Sequence, residues 1–179
     1  ADGRAAFAAL TRPGLEALWE RYAGRMACFE VVNEPNLQLW PQERIADRVA
    51  WMILTVDAVA RRHGFAARCL APSISDAESD RPRRITERRP FVATLLDALD
   101  RRGFAGGEHW VWSFHNYNDA ELGGDRASVL RAQLAGRWRG RAAPDGGPLM
   151  FATEGGVRLT GVERRYGRGL PPGRLLAGQ

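Results

Sequence analysis

The chain has 179 residues, enough for one domain with a core of its own. Its 26 basic residues are all arginine and bring the formal charge to +5, but they are scattered among Asp and Glu rather than gathered on one face, so no nucleic-acid partner is expected. No unbroken apolar run reaches the roughly 18 residues of a membrane span, so no membrane is expected either.

The chain starts Ala-Asp-Gly, with neither methionine nor an apolar leader, which predicts a processed chain or a piece of a longer one. Phe7, Leu10, Leu15, Leu18, Trp19 and Tyr22 then recur with helical spacing, with a break expected at Pro13-Gly14 and an end at Gly24. Residues 27–34 read as a buried strand that stops in Asn33-Glu34-Pro35-Asn36. The proline biases Glu34 towards extended geometry. Pro41 suits a first helical turn, and Ile45, Val49, Met52, Ile53, Val56 and Val59 carry that helix to Gly64. A second short strand is expected over 67–74, followed by a solvated loop containing Arg81 to Arg89.

Pro90 opens the next helix, with Val92, Leu95, Leu96 and Leu99, and Gly103 closes it. Residues 109–115 form a third strand rich in aromatic residues. Asp125 is placed to cap a helix running through Leu134 to Trp138, and 143–147 form a turn. A fourth strand covers 148–154, and 157–179 form a weakly patterned tail. Strand–helix alternation of this kind predicts an α/β fold with a parallel sheet. Strand ends near positions 34, 74, 115 and 154 recur about every 40 residues.

Several functions are disfavoured by what does not follow these strands. No Gly-x-Gly-x-x-Gly and no Gly-Lys-Ser/Thr loop is present, so no nucleotide cofactor is expected. Cys28 and Cys69 are the only cysteines and form no metal-ligand cluster, so no metal is expected, and both read as buried free thiols.

What remains is chemistry at strand ends. The first strand ends Asn33-Glu34, the third His115-x-Tyr117, and the fourth Glu154-Gly155-Gly156. In a parallel α/β architecture these ends share one face. Two glutamates facing across a cleft are the equipment of glycoside hydrolysis. Each residue also has a plainer reading. Glu154 can simply end a strand, His115 can be structural, and Trp40 can pack its loop as readily as stack on a sugar ring. Trp110 and Trp112 share the parity of Phe114 and are expected against helices. Glu30, with the parity of Glu34, points inward and needs a partner such as an arginine.

Phe29-Glu30-Val31-Val32-Asn33-Glu34-Pro35-Asn36, His115-x-Tyr117 and Thr153-Glu154-Gly155-Gly156 together resemble the fourth, sixth and seventh strand motifs of the clan A glycoside hydrolases, which are retaining (β/α)8 barrels. The resemblance spans residues 4 to 160. It implies Glu34 as general acid/base and Glu154 as nucleophile, with Asn33 on the 2-hydroxyl of the sugar, Tyr117 orienting Glu154, and His115 and Trp40 lining the sugar site. The implied substrate is an oligo- or polysaccharide or a smaller glycoside, with β-xylosidase, β-glucosidase, β-mannanase and endoglucanase specificities all compatible. A complete barrel has eight strands in about 250 residues. Four are recognisable here, so residues 1–179 are expected to form a single, partial TIM barrel whose open edges favour self-association. A different class stays open: a catalytically silent barrel fragment acting as a carbohydrate-binding or interaction module.

Overall fold

The longest helix shows how the sequence pattern becomes a packed face. In α2 (Gln42–Arg62) the buried residues Ile45, Val49, Ile53, Val56, Val59 and Ala60 fall on one stripe, while Glu43, Arg44 and Arg48 face solvent. Pro41 stands just before the helix: its φ of −53° is near the helical value, but its ψ of 132° keeps it outside the first turn. The helix stops at His63, and Gly64 turns the chain away with φ +72°.

This computed structural model describes residues 3–22, 24–37, 41–65, 67–74, 91–118 and 126–157. Helix α1 (Gly3–Tyr22) runs straight through Pro13, so the expected break does not occur. The proline removes one backbone hydrogen bond. Past it, Leu15 and Leu18 pack on the core and Trp19 is fully buried against Phe29, which holds the second half of the helix in line with the first. Helix α3 (Phe91–Asp100) lies against α2 and buries Phe91, Val92, Leu95, Leu96 and Leu99. Helix α4 (Arg126–Leu134) follows the third strand. Pro90, Asp125, the loop Arg81 to Arg89, Trp40 and the tail from 158 onwards lie outside the described residues.

Four strands alternate with these helices: β1 (Cys28–Glu30), β2 (Arg68–Ala71), β3 (Trp110–Asn118) and β4 (Met150–Val157). They pair in the order β1-β2-β3-β4, every pair parallel. The first two are shorter than expected, although a bridge between Asn33 and Ser73 continues their ladder beyond a gap. The last two run on past His115 and Glu154, because β3 and β4 keep pairing to Asn118 and Val157.

The aromatic strand packs as its parity predicts. Trp110 and Trp112 are fully buried, and each meets Trp138 edge to face, with centroids 6.4 and 5.0 Å apart. The Trp110 indole N–H donates to Asp57 Oδ1 of α2 at 2.8 Å. The cysteines correct the expectation of two buried thiols. Cys69 in β2 is buried, but Cys28 opens the outer strand β1 and is exposed. Burial and the nearby Asp57 carboxylate push the Cys69 thiol up to about 12. Among the described residues, no helix is long and apolar enough to cross a membrane.

Candidate active site at the carboxyl ends of the strands

Glu30 ends β1 on a strand that must bury whatever points inward. Its Oε1 accepts from the Ser73 backbone N–H at 2.9 Å and from Ser113 Oγ at 2.6 Å. The expected arginine partner is therefore replaced by two serines, each fully buried. Several donors satisfy a carboxylate as a cation does, without a second buried charge. Ser113 Oγ also lies within hydrogen-bonding distance of the Ala71 carbonyl, so its one proton is shared between the two oxygens.

The next layer outward holds the motif residues. Ser73 Oγ meets Asn33 Oδ1 at 2.9 Å, and the Ser73 carbonyl accepts the Glu34 backbone N–H at 3.1 Å. Ser73 thus ties the Asn33-Glu34 step to Glu30 beneath it. Glu34 Oε1 then contacts His115 Nδ1 at 2.8 Å. The His115 side chain is fully buried, whereas that of Glu34 keeps 23% of its surface open. A carboxylate with one oxygen held by an imidazole and a face open to solvent can exchange a proton with a ligand atom arriving from outside.

Glu34 does not adopt the extended geometry expected ahead of proline. Its φ is +43°, in the left-handed region that a residue with a Cβ rarely enters. The backbone hydrogen bond to Ser73 on one side and the turn Pro35–Leu37 on the other hold it there. Strain of this kind costs on the order of 1–3 kcal/mol and is concentrated at functional sites.

A β-bulge sets the position of the second glutamate. Phe114 pairs with Ala152, but His115 pairs with Glu154, so Thr153 is the extra residue on β4. An unbroken ladder would set His115 beside Thr153. The bulge advances β4 by one residue and brings Glu154 opposite the histidine that contacts Glu34. Tyr117 pairs with Gly156, two residues further along both strands. Glu154 and Tyr117 are placed here by strand register. Trp40, expected at the sugar site, lies outside the described residues.

The structure therefore brings Asn33, Glu34, His115 and the backbone of Glu154 to the carboxyl end of the sheet, and adds Ser73, Ser113 and Glu30 beneath them. The serines were missed in the sequence. Ser113 carried a signal, since it alternates with His115 within an otherwise apolar run. Ser73 carried none, because its role depends on a bridge between strands. Among the described residues, no group of three or more His, Cys, Asp or Glu is gathered to hold a metal ion. No protein-family model matches this chain, and neither a curated protein nor a solved structure matches it.

Proposed function

We propose that this sheet is the fourth-to-seventh-strand part of a (β/α)8 barrel, and that the chain is the catalytic part of a retaining O-glycoside hydrolase. The observation that carries the reading is the 2.8 Å contact between Glu34 and His115, with Glu154 in register beside that histidine. Glu34 is the acid/base: it protonates the glycosidic oxygen, then takes a proton from the water that releases the sugar. His115 orients its carboxylate through Nδ1. Glu154 is the nucleophile that forms the glycosyl-enzyme. Two carboxyls about 5–5.5 Å apart suit this double displacement. Asn33, positioned by Ser73, binds the 2-hydroxyl, and Tyr117 orients Glu154.

The test is hydrolysis of chromogenic β-xylosides, β-glucosides and β-mannosides. Glu34→Gln and Glu154→Ala are each expected to lose at least a thousandfold in turnover, with azide restoring activity to Glu154→Ala as the inverted glycosyl azide. Normal turnover by either variant defeats the assignment. Sugar binding without any hydrolysis in the unmutated protein favours the silent binding module instead.

A further inference from the structure

At the opposite end of the sheet, where the strands begin, a cleft of about 450 Å³ is lined by Arg25, Arg68, Arg141, His109 and Phe65 together with Met26 and small residues. Its volume is that of a small-molecule site. Arg68 is the first residue of β2, while Arg25 and His109 precede β1 and β3.

What distinguishes this cleft is that three arginines line it together and no acidic residue does. Arg12, Arg61, Arg62, Arg102, Arg131 and Arg137 each meet a carboxylate. Arg25, Arg68 and Arg141 have no acidic partner among the described residues, and no acidic residue lines the cleft. Three arginines on the lining of one cleft, with no acidic residue beside them, give it a positive potential that favours an anion.

The walls are fixed by backbone. The Arg68 N–H donates to the Ala27 carbonyl at 3.1 Å, and the Arg141 N–H to the Trp110 carbonyl at 2.8 Å. Gly140 lets the chain pass directly over Trp138, where any Cβ would collide with the indole, and so delivers Arg141 to the rim. On another wall Phe65 stacks on His109, with centroids 4.2 Å apart and planes 11° from parallel. Phe65 holds φ +52°, a strained value supported by its N–H bond to the Ala60 carbonyl at 2.7 Å.

We propose that this cleft binds a small multivalent anion of the phosphate class, held by Arg25, Arg68 and Arg141. Phosphate oxygens match the guanidinium fork in pairs, and a diphosphate spans more than one arginine at once. The site lies away from Glu34 and His115 and does not rest on the glycosidase reading.

The experiment is calorimetric titration of the full chain with inorganic pyrophosphate, with chloride and citrate controls at matched ionic strength. Pyrophosphate is expected to bind and to raise the melting temperature. Arg68→Met and Arg141→Met should each weaken binding about tenfold or more, the loss of one charge-assisted hydrogen bond. Arg25→Gln changes an exposed side chain, should leave the fold intact and should weaken binding too. Arg12→Met, which removes a charge that does not line the cleft, should leave it unchanged. Binding no tighter than chloride overturns the proposal, as does undiminished binding by Arg25→Gln and Arg141→Met. Citrate binding as tightly as pyrophosphate overturns the assignment to phosphate chemistry.

Discussion

Replacing Glu30 tests whether the layer beneath the site holds it in place. Glu30→Ala removes the acceptor for the Ser73 backbone N–H, in a residue with no exposed surface. Ser113 loses less, because its hydroxyl can turn to the Ala71 carbonyl. The cost is therefore close to that of one buried donor left unsatisfied, about 1–3 kcal/mol. At a urea slope of about 2 kcal/mol per M, a loss of about 2 kcal/mol lowers the denaturation midpoint by about 1 M. Glu30→Gln keeps an oxygen facing both serines and should cost less than about 1 kcal/mol. Urea titrations followed by tryptophan fluorescence distinguish the two variants. The reasoning fails if Glu30→Ala unfolds at the same midpoint as the unmutated chain. It fails equally if Glu30→Gln is as damaging as Glu30→Ala, since the negative charge rather than the acceptor would then be what the fold needs.

Four further outcomes are expected. At Glu34, φ +43° reverses the usual order of substitutions, so Glu34→Gly should be more stable than Glu34→Ala by about 1 kcal/mol in the same titration, and the opposite order would refute the strain. Cys28 should react with a disulfide reagent at pH near 8 while Cys69 stays protected until the chain is unfolded; two fast thiols in the folded chain would contradict its burial. The unfolded Cys69 thiol ionises near 9.0 and the folded one near about 12, so the folded state holds the extra proton and stability should fall as pH rises through that window, a dependence that Cys69→Ala removes. The outer strands β1 and β4 each present an open edge among the described residues, so light scattering should report a mass above the 19.8 kDa of one chain; a monomer with a sharp melting transition would show the edges to be covered.

The order of elements was legible because helical and strand periodicities differ and each helix and strand carries its own. The spacing of Ile45 to Ala60 marks a one-sided helix, and the short, aromatic-rich run 109–115 marks a buried strand. Strand limits were less legible. β1 and β2 end early and β3 and β4 end late, because pairing with a neighbour decides where a ladder stops. The proline break in α1 was misread for the same reason: the burial of Trp19 outweighs a local breaker.

Of the site, the residue types and the strand each belongs to or follows were written in the chain: Asn33-Glu34-Pro35 after the first, His115 in the third and Glu154 in the fourth. Their alternating polar and apolar neighbours also determined that Trp110 and Trp112 would face the helices. Only the tertiary structure decided which of these groups meet. The contact of Glu34 with His115 crosses between strands far apart in sequence, and the support of Asn33 by Ser73 depends on a bridge beyond a gap in the ladder. The bulge that brings Glu154 opposite His115 belongs to the register of β3 against β4. A chain records which side chains it carries and how often they face one way, but contacts between distant segments arise only when the whole sheet settles into one register.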